Sequence, residues 1–301
     1  MGHLIDGHWH TAPLLKSKDG AFERAASTFR RRDVERVAGR YHLVVADACP
    51  WAHRTVIARA LLGLEDDISI ATVSPLMLDE GWVFGAPGDE RDPVTGATKL
   101  HEIYTKADPG FTGKVTVPVL WDKRDHTIVN NESSEILRIL DEVWGDHRFY
   151  PEPLRQEIDA INDRVYPTLN NGVYRCGFAQ TQAAYDEAIT PLFETMAFLD
   201  EHLRTRRFLV GEQLTEADIR LFTTLVRFDA VYVTHFKCNK RRLVEHEALF
   251  AFARRIFQLP GVAATVHFDR IKAHYYGSHP QLNPSGIIPI GFEVDFGAAV
   301  D

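Results

Sequence analysis

Cysteine is scarce: the 301-residue chain has three, Cys49, Cys176 and Cys238. So few, and an odd number, excludes a disulfide scaffold and fits a reducing compartment. Long apolar runs are missing too, since none approaches the ~20 residues that span a bilayer. The first ten residues hold His3, His8 and His10 with Asp6 and no apolar stretch, so no signal peptide is expected. Positive charge is in deficit, the formal net being -8, and this excludes the clustered Lys/Arg of nucleic-acid binding. The one basic run, Arg30-Arg31-Arg32, is broken at once by Asp33 and reads as a solvated face or arm. The 14 histidines show no ligand spacing, so no metal is expected. These absences leave a cytoplasmic globular protein with neither membrane nor nucleic acid among its partners.

What is present suits two domains. Residues 1–40 are polar without a strong period and read as a surface arm with a flexible end. Residues 41–46 form a β-branched apolar run of strand length. Residues 52–62 then have helical spacing, closed by Gly63, and residues 68–73 read as a second strand. Strand, helix, strand is a βαβ unit, which implies parallel pairing. Residues 74–114 break the rhythm, but Trp82, Phe84 and Tyr104 within them point to an ordered loop near a site. Residues 115–121 and 127–129 read as two further strands, and 132–143 as a helix. The order β-α-β, loop, β-β-α is that of a thioredoxin-like α/β domain, here 41–148.

After Pro151 and Pro153 only helices are expected, over 154–166, 182–203, 215–235 and 242–258. The second domain, 154–301, is therefore all-α, with an irregular tail from Tyr275. One helix start is explicit. Thr215 can cap it while Asp218 reaches back, a capping box with Leu214 as staple.

Cys49 lies between a strand and a helix, with Pro50 at the first turn, where its missing N–H costs nothing. Backbone N–H groups and the positive end of the helix dipole stabilise a thiolate there. The blander alternative is a small buried hydrophobe. The motif Cys-Pro-Trp-Ala has no second cysteine at Ala52. A mixed disulfide on Cys49 must then be resolved from outside, most simply by a small thiol. Cys176 and Cys238 read as packing residues. Val117-Pro118 opens a strand, where proline is otherwise disfavoured. Glu132 and Ser133 at the next helix start offer N–H donors, a hydroxyl and a carboxylate to a ligand. Equally, Asn131 or Ser133 could simply cap that helix.

The motifs Cys49-Pro50-Trp51-Ala52-His53-Arg54, Thr116-Val117-Pro118-Val119-Leu120-Trp121-Asp122 and Asn131-Glu132-Ser133-Ser134 resemble one family. So do Asn170-Asn171-Gly172-Val173-Tyr174 and His274-Tyr275-Tyr276-Gly277-Ser278-His279. It is the Xi-class glutathione transferases, the glutathionyl-hydroquinone reductases, and the likeness spans about 41–290. The resemblance implies a glutathione transferase fold, glutathione as co-substrate and a homodimer. It implies that Cys49 removes glutathione from glutathionyl-hydroquinones, giving hydroquinone and oxidised glutathione. Trp82, Val117, Pro118, Glu132 and Ser133 would hold glutathione. Tyr174 and Tyr275, with Tyr276, would contact the hydroquinone and protonate its ring carbon. His53, one turn past Cys49, could support the thiolate or could as well face solvent.

Three other readings compete. A conjugating transferase would place Tyr or Ser, not Cys, at the thiol site. A thiol-disulfide or dehydroascorbate-type reductase could use the same Cys49. A non-catalytic binding protein on this scaffold would need no thiolate-stabilising helix start.

Overall fold

The computed structural model describes residues 2–11, 19–85 and 90–300. Parts of the expected arm (12–18) and long loop (86–89) lie outside the described residues. The chain forms two compact units. The first takes the N-terminal hairpin, Ala25–Asp146 and Asp269–His274, and the second takes the segment ending at Arg24, His147–Phe268 and the chain from Tyr275. Residues 1–40 are therefore not one arm.

In the first unit, β1 (Gly2–Ile5) and β2 (His8–Thr11) pair antiparallel, which corrects the flexible end expected around His3, His8 and His10. The turn explains it. Asp6 and Gly7 take φ of 47° and 77°, the positive values that Asp-Gly favours in two-residue hairpins. The main sheet starts at β3 (Tyr41–Val45), crosses through α1 (Pro50–Leu61) and returns as β4 (Ile68–Thr72), parallel to β3. All five residues of β3 are buried, as expected of a strand covered on both faces.

The long loop contains a helix that its sequence did not announce, α2 (Leu100–Ala107), which buries Leu100, Ile103 and Tyr104. After it, β5 (Gly113–Lys114) pairs with β1. β6 (Val119–Asp122) and β7 (Thr127–Asn130) complete the order β4-β3-β6-β7. β6 begins later than expected because Pro118 has no ladder donor. α3 (Ser133–Trp144) packs against α1. The basic run is no bare arm: Arg31 N donates to Val129 O at 3.1 Å, and Asn131 N to Phe29 O at 3.0 Å. This segment covers the edge of β7, and Arg30 pairs with Glu135 at 2.5 Å.

The second unit is helical: α4 (Arg155–Val165), α5 (Gly172–Gly177), α6 (Gln182–Leu203), α7 (Glu216–Arg227) and α8 (Glu247–Phe257). α9 (Phe268–Gly277) follows, and its residues Asp269–His274 count with the first unit. The tail expected to be irregular from Tyr275 is thus helical through Gly277. Wide π-type turns, Tyr166–Asn170 and Phe228–Tyr232, follow α4 and α7; such turns often serve functional sites. The capping box forms: Asp218 accepts from Thr215 N at 2.7 Å and from Leu209 N at 2.8 Å. Among the described residues no helix is long and apolar enough to cross a membrane.

Candidate active site

Cys49 is the N-cap residue of α1, in extended backbone with φ -78° and ψ 116°. Its carbonyl accepts His53 N at 3.0 Å, the bond that starts the helix. Pro50 occupies the first turn, which holds no acidic side chain to oppose a thiolate. The thiol is part-exposed and in no disulfide, with Sγ 3.8 Å from the Val117 carbonyl oxygen. The Val117–Pro118 peptide is cis. The chain thus brings Val117 to Cys49, as the two motifs suggested.

α3 starts beside this pair. Glu132 is its N-cap residue, so the cap is neither Asn131 nor Ser133. The Glu132 carboxylate accepts from Ser134 N at 3.2 Å, from Ser134 Oγ at 3.0 Å and from Ser27 Oγ at 3.0 Å. Its charge sits at the favourable end of the helix dipole. Ser133 Oγ takes a hydrogen bond from Arg54 Nη1 at 3.4 Å. Arg54 is buried, with its guanidinium over the Trp51 ring at 4.5 Å. α1 and α3 are therefore joined close to their starts by a buried cation. His53 is buried as well, so it does not face solvent.

Two residues that the sequence named without a role, Tyr104 in the long loop and His274 in the last motif, hold other residues in place. Tyr104 Oη donates to Thr116 O at 2.8 Å and accepts from Asn131 Nδ2 at 2.9 Å. It ties together the residues just before Val117 and just before Glu132. Trp82, buried, stacks on His274 with centroids 4.8 Å apart, and His274 Nδ1 lies 2.8 Å from Pro75 O. The aromatic content of the long loop was the signal for Tyr104. His274 stood in the motif of residues 274–279, but its stacking on Trp82 leaves no local pattern, because the partner is so distant in sequence.

In the second unit, Tyr174 and Tyr275 meet through their hydroxyls at 2.6 Å. Tyr232, not singled out from sequence, extends the chain, with its hydroxyl 3.0 Å from that of Tyr275. Burial pushes the Tyr232 and Tyr275 phenols well above their ordinary range, and nearby Tyr174 adds to this. Both stay protonated as hydrogen-bond donors. The Arg24 guanidinium lies over the Tyr174 ring at 4.7 Å, and its Nε donates to Asn171 Oδ1 at 2.9 Å. Asn170 Nδ2 donates to Thr224 Oγ1 at 2.8 Å, which fixes the turn before α5. Tyr276 stands off the hydroxyl chain and donates to Ala230 O at 3.3 Å. Gly177 is required by packing, because a Cβ there would meet the Phe236 ring at 2.2 Å.

Cys176 and Cys238 are both buried. Burial, then the neighbouring Cys176 thiol, pushes the Cys238 pKa well above its usual value. A protonated, buried thiol is neither a nucleophile nor a ready resolving group.

Two family models match the chain: the glutathione S-transferase N-terminal domain over residues 48–143, and the C-terminal domain over 182–255. It is 52% identical to the glutathionyl-hydroquinone reductase PcpF of Sphingobium chlorophenolicum, covering 97% of this chain and 96% of that one. Against the glutathionyl-hydroquinone reductase YqjG of Escherichia coli strain K12 the identity is 50%, over 97% and 95%. Among solved structures, a Xi-class glutathione transferase from Natrialba magadii superposes with a TM-score of 0.93 at 46% identity, covering 100% and 97%. Glutathione-bound YqjG gives 0.86 at 48% identity, covering 98% and 97%.

Proposed function

The chain belongs to the Xi class of the glutathione transferases, and we propose that it reduces glutathionyl-hydroquinones through Cys49. The observation that carries this is the setting of Cys49: a part-exposed thiol at a helix start, facing the Val117 carbonyl, with Ala52 where a resolving cysteine would stand. Two relatives named for this activity, at 52% and 50% identity, support it. The glutathione-bound structure of one relative supports glutathione as the thiol.

The chemistry balances in two steps. Cys49 thiolate attacks the sulfur of the substrate, forming an S–S bond and breaking the S–C bond to the ring. The electron pair goes to the ring carbon, which takes a proton and leaves as hydroquinone. A second glutathione thiolate then attacks the mixed disulfide, releasing oxidised glutathione and regenerating Cys49 thiolate. Overall the ring carbon gains two electrons, and two sulfurs, one from the substrate and one from a single free glutathione, are oxidised to one disulfide. In this scheme the Val117 backbone and the Glu132–Ser133 start of α3 hold the glutathione backbone and its γ-glutamyl end, Pro118 shapes the turn, and Trp82 lines the site. Tyr174 and Tyr275 bind the hydroquinone and supply the ring proton, while Tyr276 contributes ring surface. A glutathione-rich, reducing cytoplasm and a homodimer complete the proposal.

The test is mass spectrometry of the full chain incubated with a glutathionyl-hydroquinone and no free thiol. A glutathione adduct on Cys49 with stoichiometric hydroquinone release is expected. No adduct and no release would overturn the proposal.

A further inference from the structure

The N-terminal hairpin touches the two segments that carry Trp82 and Val117. Trp9, on β2, lies against the tight turn of residues 78–81, where Gly81 N donates to Leu78 O at 3.0 Å. Trp9 Nε1 donates to Asp79 O at 2.9 Å, and Thr11 Oγ1 donates to the same oxygen at 3.1 Å. The indole stacks on His101 of α2, with centroids 4.7 Å apart and planes 15° apart. It also lies against Gly81. A Cβ there would meet the Trp9 ring at 2.8 and 2.9 Å, and Gly81 holds φ at +70°. Only glycine satisfies both the backbone and the ring. The next residue is Trp82, whose carbonyl accepts Leu100 N at 2.9 Å at the start of α2.

The other strand grips the second segment. In β1, His3 and Leu4 pair with Lys114 and Gly113, and Leu4 is fully buried. Gly7 N donates to Phe111 O at 3.0 Å, and Asp6 N donates to Thr112 Oγ1 at 2.9 Å. Residues 111–114 lead directly into Thr116 and Val117.

We propose that the N-terminal hairpin is a staple across these two segments, and that Trp9 is a positioning residue for Trp82. Holding the 78–82 turn on one side and the 111–114 strand on the other fixes their spacing before glutathione arrives. A site ordered in advance does not spend binding free energy on ordering its own loop. The inference rests on the reading that Trp82 lines the glutathione site.

Steady-state kinetics of the full chain test it with Trp9→Ala, Trp9→Phe, Trp82→Ala and the Trp9→Ala/Trp82→Ala double variant. Trp9→Ala is expected to raise KM for glutathione about tenfold while kcat stays within about twofold. Trp9→Phe keeps an aromatic ring on Gly81 but loses the bond to Asp79, and falls between. If Trp9 acts through Trp82, its loss adds less than about twofold once Trp82 is gone. Should Trp9→Ala fail to melt cooperatively, Thr11→Val, which removes only the second bond to Asp79, carries the test with a smaller rise in KM. An unchanged KM in both Trp9 variants beside a raised KM in Trp82→Ala overturns the staple. So does full additivity in the double variant. An unchanged KM in Trp82→Ala overturns instead the assignment of Trp82 to the glutathione site, and the staple with it.

Discussion

In the first unit the proposed nucleophile is a part-exposed thiol at a helix start, whereas in the second the titratable groups of the aromatic cluster are buried. The consequences for charge are opposite. Around Cys49 the helix dipole and an acid-free first turn favour an anion. Around Cys238, Tyr232 and Tyr275, burial raises every pKa, and it lowers that of His235 to about 4. Each of these four groups is thereby held neutral. On the proposed function the contrast becomes a division of labour: one unit would stabilise the nucleophile, while the other would keep neutral donors for a ring carbon that needs a proton.

The largest effect comes from exchanging the thiols. Cys49→Ser should lower kcat/KM by at least ~10³ and abolish the glutathione adduct, because the thiolate is the nucleophile. Cys238→Ala should leave kcat/KM within about twofold and cost about 1 kcal/mol of stability, read by urea unfolding, for the small cavity it opens. Comparable losses of activity at the two cysteines would erase the distinction between them.

A second variant tests the neutral donors. Tyr275→Phe removes the middle hydroxyl of the Tyr174–Tyr275–Tyr232 chain and should lower kcat about 10²-fold with little change in KM. The rate of hydroquinone release in a single turnover checks it, since adduct formation and ring protonation belong to the same step. A smaller effect follows from adding a thiol beside Cys49. Ala52→Cys creates a Cys-x-x-Cys pair in the first turn of α1. The mixed disulfide should then release glutathione without a second glutathione, leaving a protein disulfide two hydrogens lighter. Turnover with glutathione alone should fall about tenfold, because that disulfide must itself be reduced.

The Cys49 region was largely legible in the sequence because its logic is local. Cys49, Pro50, Val117, Pro118, Glu132 and Ser133 each sit at a strand end or helix start that composition marks, and helix 182–203 showed in its period. What stayed hidden depends on distant partners. Tyr104 joins Thr116 to Asn131, Trp82 stacks on His274, and Arg54 reaches from α1 to Ser133. No short window contains both members of such a pair. α2 was missed because eight residues among polar neighbours give a weak period, with Lys99 as N-cap residue in place of the usual Ser, Thr or Asp. The hairpin is different, for its Asp6-Gly7 signal was present. Three histidines in short strands obscured the alternation that would have completed it.

The smallest prediction concerns His235, whose Nε2 lies 3.1 Å from His279 Nδ1. In that geometry one ring donates and the other accepts. Burial, with Lys237 nearby, lowers the His235 pKa from 6.5 to about 4. In the unfolded chain His235 takes up a proton as pH falls through its ordinary value, while the folded protein resists until about 4. Its contribution to stability is therefore complete above 6.5 and is lost progressively as pH falls toward 4. Between pH 7 and 5 the loss is about 2 kcal/mol. Asp218 works in the opposite sense: burial raises its pKa to about 6, so its neutral form favours folding as pH falls below that. The wild-type profile alone thus mixes two slopes. The informative quantity is the difference between wild type and His235→Gln, measured by urea unfolding at both pH values. His235→Gln should lose about 2 kcal/mol less than wild type between pH 7 and 5. Equal losses in the two proteins would mean that His235 is not held neutral, and the second unit would no longer stand as the charge-suppressing half of the molecule.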